Sequence, residues 1–272
     1  MSSPLEVLKE HYRFQSLLVE LRDGVLEVTL NRPERLNTFD QSMRRDFMAL
    51  QWRIERDSDI KAVIFFGAGE RAFGAGADLA FFEEDWATPE FRVEYRWVHD
   101  FFDVLERVEK PVIAAVHGVC ACGGLELAMA CDFRIAAEGS RFGFTEGNIN
   151  LIPGSGGCSR LVALIGVGWA KELVLAGEFI ETERAMQLGL VTRVVPRDRL
   201  QDEARALAAK LIAKAPQALG LAKQVLNACL SMDQTSGRIL ERVAQSTLIL
   251  TEDHKEGVRA FREKRKPRYK GR

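Results

Sequence analysis

The pattern of apolar and polar residues in the first 140 positions predicts strands separated by loops and helices. Residues 16–33 read SLLVELRDGVLEVTLNRP, which predicts two strands joined by a turn at Asp23-Gly24, because Asp-Gly favours the tight turn of a hairpin. Three apolar runs further along the chain, at 61–67, 111–118 and 132–138, predict further strands. The first two of these runs are predicted to be buried.

Helix signals fall between these strands and dominate the last third of the chain. Asp40 is a suitable N-cap for a helix that runs to about Arg56, and Thr88-Pro89 is a suitable start for another. A loop-rich stretch enters a further helix near Ser159. From about residue 168 the pattern is mainly helical, with one short strand, LVTRVV (190–195). The amphipathic segments 198–214, 216–230 and 233–250 follow it. Alternating strands and helices followed by a helical region predict an α/β fold, although the hairpin fits a plain doubly wound sheet poorly.

The composition suits a globular protein with a sizeable core. Of the 272 residues, 47% are hydrophobic and 28% are charged. No uncharged apolar stretch approaches the roughly 20 residues of a membrane span, and the N-terminal segment lacks the apolar core of a signal peptide. The formal net charge of −1 gives no indication of a nucleic-acid partner.

The five cysteines bear on location and on metal binding. Their number is odd and most lie in apolar or glycine-rich surroundings, which predicts reduced thiols and a cytoplasmic protein. Cys120 and Cys122 form a C-x-C pair without a second Cys or His cluster at metal spacing. No metal site is therefore expected.

Two glycine motifs resemble known signatures without completing them. GAGERA (67–72) matches the dinucleotide pattern G-x-G-x-x-A, but it runs into further glycines instead of a long helix. PGSGG (153–157) has Pro153 where a nucleophile elbow needs glycine. Neither NAD binding nor serine hydrolase activity is expected.

Two glutamates in apolar surroundings are more informative. Glu126 lies in the apolar helix CGGLELAMACD (122–132), and Glu146 lies in the loop FGFTEGN. A carboxylate is rarely buried without a partner, so each could form a structural ion pair, for instance with Arg134 or Arg160.

The glycines near these glutamates favour a catalytic role instead. Gly123 and Gly124 start a helix, where N–H groups are free and carry the positive end of the helix dipole. The loop FGAGAD (73–78) also presents backbone N–H groups, and two such donors form an oxyanion hole. Two carboxylates beside an oxyanion hole are suited to proton transfer next to a carbonyl group.

These residues carry a family resemblance that covers nearly the whole chain. The chain resembles the crotonase superfamily and within it is most like an enoyl-CoA hydratase. The matching segments are NRPERLN (31–37), RAFGAGADL (71–79), KPVIAAVHG (110–118), CGGLELAMACDFRIAAEGSRFGFTE (122–146) and LIPGSGGCSRL (151–161). The resemblance implies an α/β fold with a crotonase-type spiral of ββα units in residues 1–200 and a C-terminal helical trimerisation region in residues 201–272.

The resemblance also implies an activity and the residues that perform it. The protein would be a lyase of fatty acid metabolism that adds water across the 2,3 double bond of a 2-enoyl-CoA. The N–H groups of Ala77 and Gly123 would hold the thioester oxygen, Glu126 would deprotonate water for attack on C3, and Glu146 would protonate C2. The residues implied in CoA or substrate binding are Arg35, Ala75, Asp78, Leu79, Ala80, Gly124, Phe261 and Lys264.

The same resemblance implies the partners of the protein. Coenzyme A enters as part of the substrate, and no metal or redox cofactor is needed. The chain would form a homotrimer or a dimer of trimers, in which Phe261 and Lys264 often contact CoA across a subunit interface. Neither a membrane nor a nucleic acid is an expected partner.

Some positions depart from the family pattern. Cys122 replaces the first glycine of a common triplet, Thr145 stands where many hydratases have proline, and Glu34 stands where a basic residue often binds CoA phosphates, a role open to Arg35. The segment 80–102 is unusually aromatic, which indicates either helix core or a pocket for a bulky or cyclic acyl group.

Two alternatives to hydration remain. One is another crotonase reaction on an acyl-CoA, such as double-bond isomerisation or hydrolysis, which a substrate panel would distinguish. The other is a non-catalytic or RNA-binding role on the same scaffold, which predicts tight, salt-dependent RNA binding.

Overall fold

The computed structural model describes residues 12–272, and within that range the strands form two sheets. The larger sheet contains, in spatial order, β1 (Leu17–Arg22), β2 (Val25–Leu30), β3 (Ala62–Gly67), β5 (Val112–Val116), β7 (Phe133–Ala137) and β10 (Arg193–Val195). The smaller sheet contains β4 (Ala72–Gly74), β6 (Val119–Ala121), β8 (Arg141–Gly143) and β9 (Ile180–Glu181). Among the strand pairs of residues 12–272, β1–β2 and β8–β9 are antiparallel and the others are parallel.

Helices cover the sheets and make up the end of the chain. The α-helices of the described range are α1 (Gln41–Arg56), α2 (Thr88–Arg107), α3 (Gly123–Ala130), α4 (Gly157–Lys171), α5 (Thr182–Leu188), α6 (Leu200–Ile212), α7 (Pro216–Ala228), α8 (Gln234–Leu248) and α9 (Glu252–Arg262). Short 3-10 helices lie at Pro33–Arg35, Leu79–Phe82, Glu146–Ile149 and Arg197–Arg199, and a π-helix lies at Glu172–Ala176.

A strand–strand–helix unit repeats through the centre of the chain. In the units β3-β4-α2, β5-β6-α3 and β7-β8-α4, the first strand joins the larger sheet and the second joins the smaller one. Each unit therefore adds one strand to each sheet, and the chain follows a spiral. This arrangement confirms the α/β fold that the sequence predicts.

The larger sheet is covered on both faces, which explains why its central strands are continuous apolar runs. On one face Phe65 packs with Phe47 of α1 and Phe101 of α2, whose rings stack at 4.5 Å. On the other face Ile64 packs in a second cluster with residues of α6, among them Leu207. The division at residue 200 stays a prediction, and α6, which begins there, packs against the sheet.

Several local predictions are confirmed at the level of backbone geometry. Asp23 and Gly24 have φ values of 50° and 81°, as the tight hairpin requires. Asp40 caps α1 by accepting the N–H groups of Ser42 and Met43, at 3.0 and 2.9 Å. Helix α2 begins at Thr88.

Other local predictions need correction. The glycine-rich loop contains the strand β4, whereas the helix expected near Ser159 is present and begins at Gly157. The strands β4, β6 and β8 have three residues each, too few for a hydrophobic period to be visible.

The basic C-terminal segment is folded back on its own helix. Arg265 forms a bidentate pair with Glu256, with its shorter contact at 2.6 Å. The buried Asp253 accepts the N–H groups of Lys270 and Gly271, at 2.7 and 2.8 Å.

Candidate active site

Two glycine-rich segments, the loop 74–78 and the start of α3, meet backbone to backbone. Gly76 has a φ of 93°, and a Cβ placed on it would lie 2.6 Å from the Cβ of Cys122 and 2.8 Å from the nitrogen of Gly123. Only glycine permits this approach without displacement of the other segment. The contact places Ala77 beside the first turn of α3.

The N–H groups of Ala77 and Gly123 have no acceptor among residues 12–272. On either side of Ala77, the N–H of Phe39 donates to the oxygen of Gly76 at 2.8 Å, and the N–H of Asp78 donates to the oxygen of Phe39 at 2.9 Å. This parallel pairing turns the N–H of Ala77 away from Phe39. Both Ala77 and Gly123 line a cavity of about 620 Å³, so the geometry suits two donors to one oxygen.

Arg32 braces the loop that carries Ala77. Its guanidinium donates to the carboxylate of Asp78 at 3.1 Å and to the oxygen of Thr38 at 2.7 Å, and it lies 3.3 Å from the carboxylate of Asp40. A planar guanidinium with several partners has little freedom to move. We infer that the carboxylate of Asp78 holds the loop in place as well as lining the cavity.

Glu126 is almost fully buried at the end of the first turn of α3, with 2% of its surface exposed. Its Oε1 accepts the N–H of Ser155 at 2.6 Å and the N–H of Gly157 at 2.9 Å. Burial raises the pKa of Glu126 from its ordinary value to about 7, against the lowering effect of these N–H groups and with a further increase from Glu146.

The structural ion pair considered for Glu126 is absent. Arg134 donates to backbone oxygens, including that of Cys131 at 2.6 Å. Arg160 forms ion pairs with Asp103 and Glu106, each at 2.7 Å. Within the described range, neither arginine contacts the carboxylate of Glu126.

The segment 153–157 supplies the support for Glu126. A Cβ on Gly157 would lie 2.7 Å from Oε1 of Glu126, so glycine is needed for the N–H to approach the carboxylate. Gly156 precedes it with a φ of 89°. The motif PGSGG resembles an incomplete nucleophile elbow in the sequence. In the structure its backbone N–H groups bind the carboxylate of Glu126.

Glu146 enters the same cavity from a different element. It follows β8 and begins the 3-10 helix Glu146–Ile149. Its Oε2 is buried and has no hydrogen-bond partner in the described structure. Burial raises the pKa of Glu146 as well. Because both carboxyl groups line one cavity and both pKa values are raised, one of them can be protonated near neutral pH while the other is ionised.

Two of the three departures from the family pattern, Cys122 and Thr145, contact each other in the cavity, and the third, Glu34, also lines it. Cys122, with a φ of 52°, places its Sγ 3.3 Å from Oγ1 of Thr145. Both residues line the cavity. The positive φ lies in the region that favours glycine, so Cys122 is held in a strained backbone conformation.

Four residues expected to bind CoA or substrate line the cavity, and four do not. Those in the cavity are Arg35, Ala75, Asp78 and Leu79. Ala80 is exposed beside it, and Gly124 is buried where a Cβ would overlap the carbonyl of Gly74. Phe261, which is 87% exposed, and Lys264 lie at the end of α9, outside this cavity.

Sequence reasoning missed several residues that line the cavity. Two are the arginines Arg44 and Arg71, and others are Tyr95, Trp97 and Ser155. The aromatic composition of segment 80–102 was a signal for Tyr95 and Trp97. No periodic signal marked Arg71 or Ser155, because both lie in loops whose course depends on other elements.

The sequence profile of the enoyl-CoA hydratase/isomerase family matches residues 20–272. The chain belongs to this family. Among its relatives, a short-chain-enoyl-CoA hydratase of Clostridium acetobutylicum is 39% identical over 251 residues, which are 92% of this chain and 96% of that protein. A crotonyl-CoA hydratase of Syntrophomonas wolfei is 34% identical over 256 residues, which are 94% of this chain and 98% of the relative.

Solved structures of enoyl-CoA hydratases share the fold. The crystal structure of an enoyl-CoA hydratase from Bacillus anthracis superposes with a TM-score of 0.90 at 37% identity, covering 95% of this chain and 100% of that one. Family membership and this match confirm the crotonase-type fold predicted from the sequence. Within residues 12–272 no helix is both long enough and apolar enough to cross a membrane.

Proposed function

We propose that this member of the enoyl-CoA hydratase/isomerase family hydrates 2-enoyl-CoA thioesters. The observation that carries the proposal is the convergence of two carboxyl groups with raised pKa values, Glu126 and Glu146, with the free N–H groups of Ala77 and Gly123 in one cavity. Relatives named as short-chain-enoyl-CoA and crotonyl-CoA hydratases support it.

The thioester oxygen accepts hydrogen bonds from Ala77 and Gly123. As water attacks C3, negative charge moves onto this oxygen, and the two donors stabilise the enolate-like state. One such donor is worth about 3 kcal/mol in enzymes with an oxyanion hole. The donor from Gly123 gains from the dipole of α3.

Glu126 acts as the base and Glu146 as the acid. With Oε1 of Glu126 occupied by two N–H groups, Oε2 is the oxygen that receives the proton of water. The oxygen of that water bonds to C3, the double bond electrons move toward C2, and Glu146 gives its proton to C2. Proton exchange with solvent or between the two carboxyl groups then restores the starting state.

This mechanism assigns every proton and every developing charge to residues of the chain or to water. We therefore propose that the reaction needs no metal or redox cofactor and that coenzyme A takes part only as the carrier of the acyl group. Arg35 and Arg71, both at the cavity, provide positive charge for CoA phosphates, whereas Arg44 at the same cavity is paired with Glu94.

A homotrimer or a dimer of trimers remains part of the proposal. Exposed apolar side chains on the C-terminal helices, including Leu226 and Val243, and Leu230 in the turn between them support association there. In such an assembly, Phe261 and Lys264 would reach the CoA of a neighbouring protomer. The cytoplasmic location stays a prediction; the five cysteines are free thiols.

A panel of CoA thioesters with product analysis tests the reaction. Crotonyl-CoA should gain one water, detected by mass spectrometry, with loss of enoyl absorbance. Conversion of a 3-enoyl-CoA without gain of water would indicate an isomerase, and release of free CoA would indicate a hydrolase. Either result without hydration of crotonyl-CoA would contradict the proposal.

A further inference from the structure

Four aromatic side chains line the catalytic cavity. Phe81 and Phe82 come from the 3-10 helix that follows the loop 74–78, and Tyr95 and Trp97 come from α2. All four line the cavity that contains the two glutamates. We call these four residues the aromatic wall.

A second layer of rings fixes the aromatic wall from behind. Phe91 stacks on Tyr95 with centroids 5.2 Å apart and planes 14° apart, and Trp86 lies 5.3 Å from Phe81. The indole N–H of Trp86 donates to the backbone oxygen of Phe81 at 2.9 Å. Phe81 and Tyr95 are consequently held with planes only 29° apart at a centroid distance of 6.4 Å. Fixed, nearly parallel rings offer flat π surfaces to a ligand.

Tyr95 of the aromatic wall lies at the reacting end of the cavity. A Cβ on Gly154 would lie 3.1 Å from Cε1 of Tyr95, and the next residue, Ser155, holds Glu126 by its N–H. Burial, and after it the charge of Glu126, raise the pKa of Tyr95 to about 12, so the phenol is neutral at physiological pH. Because Glu126 directs water to C3, the group attached to C3 lies next to Tyr95.

Aliphatic side chains, among them Leu151 and Ile152, also line the cavity. A straight alkyl chain would lose rotational freedom here and would contact the rings without making any ring–ring contact. A flat ring would have no such freedom to lose and would contact the π surfaces of Phe81 and Tyr95. Aromatic pairs are more favourable than their buried area alone accounts for.

On this basis, and resting on the proposed hydratase function, we propose that the acyl group carries an aromatic ring on C3, as in 3-arylacryloyl-CoA thioesters. The π bond between C2 and C3 breaks, the oxygen of water bonds to the benzylic C3, and a proton bonds to C2. The product is a 3-aryl-3-hydroxypropanoyl-CoA.

Binding of unreactive analogues tests the ring preference independently of turnover. We would measure Kd by calorimetry for 3-phenylpropanoyl-CoA, 3-cyclohexylpropanoyl-CoA and hexanoyl-CoA, none of which has a double bond to hydrate. The phenyl compound should bind about tenfold more tightly than the cyclohexyl compound, which has similar bulk without a π system. Equal affinities would overturn the proposal.

Two variants test whether the aromatic wall causes the preference for the phenyl over the cyclohexyl compound. Phe81→Leu and Tyr95→Leu should each reduce the phenyl-over-cyclohexyl preference about threefold or more. Trp52→Leu is the matched control, because Trp52 lies on α1 outside the cavity and stacks with Arg56 at 5.0 Å. An undiminished preference in a folded wall variant would overturn the assignment, and the wild-type Kd series stands even if a variant does not fold.

Turnover separates failure of this inference from failure of the proposed function. Crotonyl-CoA and cinnamoyl-CoA would be assayed in both directions, because conjugation with the ring disfavours the hydrated product. Hydration of crotonyl-CoA with no phenyl preference in binding overturns the aryl substrate alone. A phenyl preference in binding without hydration of any enoyl-CoA overturns the hydratase function and leaves the ring-binding site supported.

Discussion

The segments 122–126 and 145–149 each bring one carboxyl group to the same cavity, but they hold it in different ways. Glu126 is 2% exposed and accepts two backbone N–H groups at Oε1, whereas Glu146 is half-buried and its Oε2 has no partner in the described structure. The first carboxyl group is fixed by two backbone N–H groups of one other segment of the chain, 153–157. The second is positioned mainly by its own short 3-10 helix.

This difference suits the two proposed roles. A base that orients an attacking water needs a fixed oxygen, and the N–H groups of Ser155 and Gly157 fix one oxygen of Glu126 so that the other is aimed. An acid that delivers a proton to C2 needs a raised pKa, which burial provides for Glu146. The comparison predicts that substitutions around Glu126 lower activity because they displace its carboxylate. Substitutions of Glu146 should lower activity because they remove the proton that it donates.

Replacement of either glutamate is expected to have the largest effect. Glu126→Gln and Glu146→Gln should each lower kcat for crotonyl-CoA about 10²- to 10⁴-fold, because each removes one proton-transfer group. Steady-state kinetics measure the loss, and circular dichroism shows whether each variant is folded. Glu138→Gln, at an exposed glutamate outside the cavity, is the control and should keep full activity. Full activity in either cavity variant would contradict the two-carboxylate mechanism.

Separation of the two backbone segments should have the next largest effect. In Gly76→Ala the new Cβ would overlap Cys122 and the nitrogen of Gly123, which displaces one oxyanion donor. We expect kcat to fall about 10²-fold. Gly139→Ala is the matched control, because Gly139 also has a positive φ, 74°, but a Cβ there meets nothing within 4 Å. Equal losses in the two variants would assign the effect to backbone strain alone.

The buried charge of Glu126 should lower the free energy of unfolding at alkaline pH, and the variant Glu126→Gln should remove this loss. The pKa of Glu126 is about 7 in the folded protein against an ordinary value of 4.5. The folded state therefore binds the proton of Glu126 more tightly than the unfolded state does. This binding adds to the free energy of unfolding in full below pH 4.5, and the addition is lost as the pH rises through 7. The difference corresponds to roughly 3 kcal/mol.

Denaturation at pH 5 and pH 8 measures this effect. Glu126→Gln keeps an oxygen for the N–H groups of Ser155 and Gly157 but does not ionise. The difference in free energy of unfolding between Glu126→Gln and the original protein should shift in favour of the variant from pH 5 to pH 8. A constant difference across this range would show that Glu126 does not titrate as proposed.

The pH dependence of activity should show the same ionisation. Since Glu126 must be ionised to accept the proton of water, kcat/KM should fall about tenfold per pH unit below about pH 7. The observed value belongs to the coupled pair of glutamates. A profile that is flat between pH 5 and 8 would indicate that neither carboxyl group titrates in the free enzyme.

The smallest expected effect concerns Cys122. Its φ of 52° favours glycine, so Cys122→Gly should relieve backbone strain and raise the free energy of unfolding by about 1 kcal/mol. The contact with Oγ1 of Thr145, which adjoins Glu146, would be lost. Thermal denaturation measures the change, and a destabilised variant would show that the thiol contact outweighs the strain.

The sequence was sufficient for the fold and for the parts of the site that follow local rules. The hairpin at Asp23-Gly24, the cap at Asp40 and the helix that begins with Gly123 depend on residues close in the chain. Glu126 was a candidate catalytic residue because an acid in an apolar helix conflicts with burial and because Gly123 and Gly124 leave free N–H groups at the start of the same helix.

The rest of the site depends on contacts between distant segments. The N–H groups of Ser155 and Gly157 reach Glu126 across about 30 residues of chain, and no local pattern indicates that approach. The same holds for Tyr95, whose ring position depends on the packing of α2 against the loop at Gly154. Phe261 and Lys264 lie outside the cavity of their own chain, so their proposed contact with CoA depends on assembly.

The most direct test of the account is the combined variant Glu126→Gln/Glu146→Gln, assayed for crotonyl-CoA hydration beside the two single variants. If the two carboxyl groups act as one acid–base unit, the double variant should retain activity within about tenfold of the weaker single variant, because the first substitution already disables the pair. Losses that multiply, so that the double variant falls by the product of the two single effects, would contradict the claim that the glutamates act together.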